Sequence, residues 1–262
     1  LPGMDSALAL NYLREQDESN NYDVIIFDGN SGFDTLRMFG IPDIASWYIR
    51  RVRNLLENSD IVKTLSPFVQ PVTSAVLNVT WSAENFVQQP TDEANQILEK
   101  GKKAIHNPAR VCAFLVTNSS SSAIVHSKYL WGSAQQVNLT VGGVLVNQNP
   151  ITETVSNEFK PLNVVSIPTL SSDNWNPLIE ALPDFQAWGM KAPSPVEIDT
   201  QKREVKIFLP GFEKKQVKLS QSGPEITISA GDQRRNISLP SPLKGQSVKG
   251  AKFEDAYLVI SL

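Results

Sequence analysis

The chain has 262 residues, of which 41% are hydrophobic and 19% charged, a balance typical of a soluble globular protein. This length predicts one large domain or two ordinary ones, with enough chain to bury a substantial core. The formal charge of −3 and the absence of a long basic run argue against a nucleic-acid-binding protein. No segment reaches the roughly 18 uninterrupted apolar residues of a membrane-spanning helix, so no direct membrane span is expected.

The chain opens on Leu1, Pro2 and Gly3 rather than on an initiator methionine. We therefore expect that a native amino-terminal portion precedes it. Residues 4–15 carry apolar side chains on roughly one helical face, which predicts a first helix.

The most informative stretch covers residues 22–37, where an apolar run stops on an acid and a small polar turn follows. Residues 24–27 lack the alternation of a half-exposed strand and predict a strand covered on both faces, as in a parallel sheet. Asp28 would then lie at the carboxyl end of that strand, where open α/β sheets bind ligands. Nucleoside triphosphatases use this position for an acid that helps to hold Mg²⁺. An N-capping aspartate in a strand-to-helix turn is the alternative.

Alternating patterns continue along the chain. Covered strands are predicted at residues 111–117, 141–147 and 163–167. Helix-length patterns surround them at residues 43–56, 91–106, 119–137, 152–159 and 173–186. This alternation predicts a mostly parallel, doubly wound α/β sheet in a domain of residues 1–190.

Residues 43–108 form an excursion that is longer than a simple crossover needs, and they are rich in apolar and aromatic side chains. We interpret this excursion as a mostly helical insertion. A lid or a partner-binding surface is one interpretation of its apolar residues, and ordinary core packing is the other.

The carboxyl-terminal part has a different texture. Residues 1–192 hold 13 Lys and Arg against 19 Asp and Glu, whereas residues 193–262 hold 11 against 8. Residues 191–195 read as a short, stiff, proline-containing linker. Beyond it the apolar period becomes two, in short segments separated by glycine and proline. This pattern predicts an antiparallel β-sandwich over residues 196–262.

Residues at the carboxyl ends of parallel strands meet at one edge of a sheet and are therefore candidates for a ligand site. These candidates are Asp28, Thr117, Asn118, Asn147, Gln148, Ser166 and Pro168. Asn147 carries a planar amide that donates and accepts, which matches the edge of a base such as adenine. A turn-forming asparagine is the alternative. Residues 118–122 either offer backbone amides to an anion or cap the following helix.

Other reactive groups are few. Cys112 is the only cysteine and lies in an apolar run, so we expect a buried, inert thiol and no cysteine-rich metal site. His106 and His126 have no cysteine or acid at metal-ligand spacing, and neither is assigned to a metal. The sequence contains no G-x-x-x-x-G-K-[ST] phosphate loop. The chain by itself is therefore not expected to hydrolyse a nucleotide.

Residues 1–7, 22–28 and 34–42 resemble consecutive segments of the arsenite-pump and tail-anchored-protein-targeting ATPases. Residues 144–148 resemble that family's strand ending in Asn-Gln, and residues 165–170 resemble the Pro-x-Leu strand that follows it. Order and spacing agree over residues 1–187.

This resemblance implies an enzyme that uses ATP and Mg²⁺ and whose phosphate loop and first switch lie upstream of residue 1. It implies that Asp28 is the Mg²⁺-associated acid of the second switch, acting through water, and that Asn147, Gln148 and Pro168 border adenine. Residues 29–34 depart from the family's Thr-Ala-Pro-Thr-Gly-His, so the communication of hydrolysis is expected to differ. The paired cysteines that bind zinc between subunits in some members are missing here, so no zinc site is expected.

Residues 195–262 resemble the α-crystallin domain of small heat-shock proteins, most closely at 208–217, 225–230 and 256–262. The resemblance implies an immunoglobulin-like β-sandwich. The short segment between residues 230 and 236 and the lack of an Ile-x-Ile tail argue against large heat-shock-type oligomers. The fusion of the two parts resembles the cyanobacterial and chloroplast branch of the ATPase family.

The leading hypothesis is an ATP-hydrolysing, dimeric switch protein that handles hydrophobic clients or a membrane partner, in the cytoplasm or the chloroplast stroma. Nucleotide state would move residues 28–37 and thereby the helical insertion. The alternative is a non-enzymatic chaperone holdase or scaffold that uses the crystallin-like domain and the apolar insertion. An anion-pump subunit is disfavoured, because Cys112 stands alone and no arsenite-binding cysteine cluster exists.

Overall fold

The computed structural model describes residues 4–30, 32–56, 90–147, 150–170 and 173–262. The chain divides into two compact units, residues 1–104 and 105–262. The centre of the predicted insertion, residues 57–89, lies outside the described residues, and so does Gln148. Within the described ranges, no helix combines the length and the apolar character that crossing a membrane requires.

The regular secondary structure described in the first unit is helical. Its helices are α1 (Met4–Ser19), α2 (Phe33–Leu56) and α3 (Pro90–Ile105), the last of which ends one residue into the second unit. All three confirm predicted helices, although α2 begins ten residues earlier than the pattern suggested. It continues through Pro42, whose ring lies beside α3: a Cβ on Gly101 would be 3.4 Å from Pro42 Cγ.

The predicted strand at residues 24–27 is wrong. These residues have no regular secondary structure, and Val24 and Ile26 are 75% and 89% exposed. A strand exists only through hydrogen bonds to a neighbouring strand, and every strand among the described residues lies after residue 112. An apolar run predicts that a segment is buried, but it does not show that a neighbouring strand is available for hydrogen bonding.

Three parallel strands form one sheet of the second unit, in the order β1-β2-β3. They are β1 (Ala113–Thr117), β2 (Val141–Asn147) and β3 (Asn163–Ile167), connected by α4 (Ser121–Gln136) and α5 (Glu153–Glu158). The predicted parallel α/β sheet is confirmed in these strands. The central strand β2 is buried along its whole length except at Asn147, which explains its uninterrupted apolar sequence.

Two glycines in β2 make room for aromatic rings. A Cβ on Gly142 would lie 2.7 Å from the ring of Phe114, and a Cβ on Gly143 would lie 2.4 Å from the ring of Trp188. Glycine in a strand interior is unfavourable unless another group approaches the backbone closely. Here the rings of Phe114 and Trp188 approach the backbone of β2 closely and cover it at the two glycines.

The helix predicted at residues 173–186 is divided in the structure. It forms α6 (Asn176–Ala181) and α7 (Phe185–Lys191), which pack on β3 and β2. The break falls at Leu182, whose backbone is extended because Pro183 follows it. Asp184 then caps α7 by accepting a hydrogen bond from the amide of Ala187 at 2.9 Å.

Residues 196–262, here called the β-domain, contain two antiparallel sheets, which confirms the predicted antiparallel strands. The first sheet has the order β4-β5-β10-β9 and the second β6-β7-β8. The strands are β4 (Val196–Asp199), β5 (Glu204–Phe208), β6 (Val217–Ser222), β7 (Glu225–Ala230), β8 (Gln233–Ser238), β9 (Gly250–Glu254) and β10 (Tyr257–Ser261). Both sheets contribute to one apolar core, whose fully buried members include Val205, Ile207, Ile226, Ile228 and Ile260.

The β-domain is not held by its linker alone. It belongs to the same compact unit as the parallel sheet, and α4 contacts β1, β2 and β8. Helix α4 therefore lies between the parallel sheet and the β-domain and touches both.

Candidate functional site

The carboxyl ends of β1, β2 and β3 form a common edge in the second unit. Thr117 is opposite Val146, and Asn147 is opposite Ile167, so the strands end at nearly the same level. Pro168 directly follows Ile167. The structure thus brings Asn118, Asn147 and Pro168 to one edge, as the sequence predicted.

The residues of this edge differ in exposure. Thr117 is buried, Asn118 and Pro168 are half-buried, and Asn147 is exposed. The Ser119 hydroxyl donates a hydrogen bond to the carbonyl of Pro150 at 3.3 Å. This bond ties the loop after β1 to the loop after β2.

Residues 118–122 cap helix α4. The Asn118 side-chain oxygen accepts a hydrogen bond from the Ser120 amide at 2.9 Å, and Ser120 Oγ accepts one from the Ala123 amide at 3.3 Å. Of the two interpretations of this serine-rich run, the structure shows the cap.

Asp28 lies in the first unit, in an exposed segment without regular secondary structure. The prediction that it lies at the carboxyl end of a covered strand is therefore wrong. Asp28 does not cap a helix, since α2 begins only at Phe33. The turn is organised instead by Asn30, whose side-chain oxygen accepts hydrogen bonds from the Gly32 amide at 3.0 Å and the Thr35 hydroxyl at 3.4 Å. The alternative interpretation of Asp28 as an N-cap is therefore wrong.

In the second unit, the strand edge offers groups that suit a nucleotide base. Asn147 offers an exposed amide, and Pro168 offers a half-buried apolar ring directly after the neighbouring strand; these two kinds of group suit a planar base. Asp28 offers an exposed carboxylate, the hard oxygen ligand that Mg²⁺ takes. The described residues contain no group of three or more His, Cys, Asp or Glu that could hold a metal ion.

Cys112 is half-buried, and its thiol lies 3.5 Å from the carbonyl of Thr140. Burial raises the pKa of the Cys112 thiol to about 11, and a hydrogen bond from the Gly142 backbone opposes this rise. The thiolate that nucleophilic chemistry or soft-metal binding requires is therefore scarce at neutral pH. This agrees with the predicted inert thiol.

Sequence reasoning missed the residues that join α4 to the β-domain. They are Tyr129, Gly132, Gly211 and Arg235. One signal was available: Gly132 interrupts a helix-length pattern, and a glycine there is unfavourable unless it permits a close contact. Nothing in the local pattern around Arg235 distinguishes it from an ordinary exposed cation of a β-strand.

A parallel α/β sheet whose polar residues collect at the carboxyl ends of its strands defines the class of ligand-binding α/β proteins. A family model of the anion-transporting ATPases matches residues 1–169, more than half of the sequence. The chain belongs to this family. A second family model, of the HSP20-like domain found in ArsA, matches residues 200–262, which is most of the β-domain.

Curated relatives align along almost the whole chain. A protein of Aquifex aeolicus, provisionally named arsenical pump-driving ATPase 1, is 20% identical over 99% of this chain and 72% of its own length. Provisionally named arsenical pump-driving ATPases of Chlorobaculum tepidum and Prosthecochloris vibrioformis are 24% and 22% identical. Each of them aligns with 99% of this chain and 70% of its own length.

Proposed function

We propose that this protein is an ATP-binding and ATP-hydrolysing nucleotide switch that handles hydrophobic clients or a membrane partner. The observation that carries the proposal is the common edge of Asn118, Asn147 and Pro168 at the carboxyl ends of three parallel strands. Ligands bind at this edge in open α/β sheets. Membership of the anion-transporting ATPase family supports ATP as the ligand.

We assign Asn147, Gln148 and Pro168 to the adenine end of the nucleotide. An exposed amide beside a half-buried proline ring provides a hydrogen-bonding group next to an apolar wall, and a purine needs both. Asp28 is assigned to the Mg²⁺-associated acid, as an exposed hard oxygen donor. Mg²⁺-ATP, when bound, supplies the phosphoryl group whose transfer to water changes the state of the switch.

Residues 28–37 are assigned to the second switch. Asn30 holds the amide of Gly32 and the hydroxyl of Thr35, so the turn after Asp28 is tied to the first turn of α2. A displacement of Asp28 would thereby reach α2. A homodimer, a doubly wound ATPase sheet, an immunoglobulin-like β-domain and a cytoplasmic or stromal location complete the proposal.

The test is nucleotide binding and hydrolysis by the protein as its gene encodes it. Asp28→Asn is compared with Asp23→Asn, because both acids are exposed in the same segment. Asp28→Asn should lower the Mg²⁺-dependent kcat about 100-fold, and Asp23→Asn should leave it unchanged. Asn147→Ala should raise the Kd for ATP about tenfold, whereas Asn163→Ala, at the opposite end of β3, should not.

Two results would refute the proposal. One is a wild-type protein that binds ATP but never hydrolyses it. The other is equal hydrolysis by wild-type protein and Asp28→Asn, which would remove the acid from the chemistry. If Asn147→Ala binds ATP with the wild-type Kd, the assignment of the adenine to the end of β2 is wrong. The role assigned to Asp28 would not be affected by that result.

A non-enzymatic holdase is the second candidate. Exposed apolar side chains around α6 and α7 favour it: Trp175, Ile179 and Met190 are each more than half exposed. Suppression of the aggregation of a thermally unfolded client protein would measure this activity. Equal suppression with and without Mg²⁺-ATP would favour the holdase, and suppression that depends on ATP would favour the switch.

A further inference from the structure

Helix α4 and the β-domain meet at backbone distance. A Cβ on Gly132 of α4 would lie 2.2 Å from the carbonyl oxygen of Pro210, and a Cβ on Gly211 would lie 2.4 Å from the carbonyl oxygen of Lys128. Gly211 also has a φ of +76°, which glycine adopts without strain. Each side of the contact thus depends on the missing side chain of a glycine. A loosely tethered domain has no need of such complementarity.

Aromatic rings extend the contact along α4. Trp131 packs edge-on against Phe208 with ring centroids 5.5 Å apart, and Tyr129 packs in the same way against Phe212 at 5.5 Å. Trp131, Phe208 and Phe212 are all buried. Ring pairs of this geometry stabilise a contact by more than the burial of their apolar area alone. The surface between α4 and the β-domain is therefore packed like the core of a domain.

The contact also has polar anchors. The Tyr129 hydroxyl accepts a hydrogen bond from the backbone amide of Asp232 at 3.3 Å and lies 3.4 Å from the Asp232 carboxylate. Arg235 of β8 is 7% exposed and donates from Nη1 to the carbonyl oxygen of Gln135 at 3.0 Å. Gln135 belongs to the last turn of α4, where the helix dipole favours a cation. Its carbonyl oxygen also accepts a hydrogen bond from the backbone amide of Asn138 at 3.2 Å, so Arg235 adds a second donor to this carbonyl.

The opposite end of α4 lies at the candidate site. The helix has 16 residues and begins directly after Ser120, which caps it. Its length is therefore roughly 24 Å at 1.5 Å per residue. Ser119 joins this end to Pro150 in the loop after β2. Arg235 and the strand edge are thus linked by one continuous helix.

We propose that the β-domain is a clamp on α4, and that Arg235 is a positioning residue which acts through this helix on the edge formed by Asn118 and Ser119. The face of the β-domain that carries Phe212, Gly211 and Gly231 is covered by α4, so this face does not receive clients. The inference rests on the proposed function only where it links the edge to nucleotide binding.

The test compares Arg235→Met with Arg234→Met by amide hydrogen exchange. Arg234 is the neighbouring residue of β8, and its side chain is exposed, which makes it a matched control. Arg235→Met should raise exchange in peptides covering residues 118–128 about tenfold, and Arg234→Met should leave it unchanged. Arg235→Lys, which keeps one donor, should restore part of the protection.

A general loss of stability would have a different signature. Exchange in β7 and β10, which belong to the core of the β-domain, should stay at the wild-type level in Arg235→Met. Equal increases in all peptides, or unchanged exchange at residues 118–128, would overturn the positioning role. Should Arg235→Met not fold, Tyr129→Phe, which removes only the hydroxyl, is judged by the same criteria with a smaller expected increase.

Nucleotide affinity separates this inference from the proposed function. A fluorescent ATP analogue should bind Arg235→Met about fivefold more weakly than wild type. If wild-type protein does not bind the analogue while the exchange result holds, the clamp stands and the nucleotide assignment fails. If the analogue binds both proteins equally, the link from Arg235 to the nucleotide edge is wrong.

Discussion

Gly132 faces the carbonyl oxygen of Pro210 so closely that a Cβ at position 132 would lie 2.2 Å from that oxygen. Glycine in a helix interior normally lowers helix stability by about 1 kcal/mol relative to alanine. Its presence in α4 is therefore explained by tertiary packing and not by local preference. The two parts of the sequence that family models match separately meet at this point.

Gly132→Ala should lower the free energy of unfolding by about 2 kcal/mol, because the steric clash outweighs the gain in helix propensity. Urea unfolding followed by circular dichroism measures the change. Gly250→Ala is the control, since a Cβ there meets nothing within 4 Å. A stabilised Gly132→Ala protein would mean that α4 and the Pro210 loop are separated in solution.

Gln135→Met should raise the free energy of unfolding by about 1 kcal/mol. Both polar atoms of the Gln135 side chain are buried without a hydrogen-bond partner among the described residues, and an apolar side chain of similar length removes that penalty. Gln221→Met should lower the free energy of unfolding, because the Gln221 side-chain amide makes hydrogen bonds to the backbone of Gly223, Gln246 and Val248. Thermal unfolding of both variants checks the two signs together.

Cys112 should react slowly with a thiol reagent in the folded protein. With the pKa raised from 9.0 to about 11, the thiolate fraction at pH 8 is about 100-fold below that of an ordinary cysteine. The labelling rate should rise with pH up to about 11 and reach the ordinary value in urea. Fast labelling of the native protein at pH 8 would contradict the assigned burial.

The same group gives stability a pH dependence. The folded-state pKa of Cys112 lies above its ordinary value of 9.0, so the unfolded thiol ionises first. Its contribution is present below pH 9 and is lost as the pH rises through about 11. Cys112→Ala should remove this pH dependence from urea midpoints measured between these two pH values. If the variant keeps the wild-type pH dependence, another titratable group is its cause.

Ile26→Ser should change the free energy of unfolding of the 262-residue chain by less than about 0.5 kcal/mol, because Ile26 is 89% exposed. Met38→Ala, at a residue of the same unit that is only 2% exposed, should lower it by about 2 kcal/mol or more. A large loss of unfolding free energy in Ile26→Ser would show that Ile26 is buried, as the predicted covered strand requires.

Helices and strands with complete local signals could be predicted from the sequence. β2 coincides with the predicted residues 141–147, and the cap at Ser120 follows from the serine run before α4. Two elements could not. The helix pattern began at residue 43, yet α2 begins at Phe33 and runs through Pro42, whose ring lies beside Gly101. Residues 24–27 had the composition of a strand without a neighbour to complete it.

The candidate site was predictable to a similar extent. Parallel strands must end on one edge, so placing Asn118, Asn147 and Pro168 together required only the strand assignments. The Ser119 to Pro150 hydrogen bond was not predictable, because it joins residues 31 positions apart. The role of Asp28 remains a prediction that the proposed kinetics address.

The sequence by itself determined the two kinds of sheet in this protein, because a period of two and uninterrupted apolar runs are local consequences of how each strand is covered. Only the tertiary structure decided that the β-domain is fixed against α4. That contact depends on Gly132 meeting Pro210 and on Arg235 reaching Gln135, pairs separated by 78 and 100 residues. No local pattern records such distant steric and hydrogen-bonding matches.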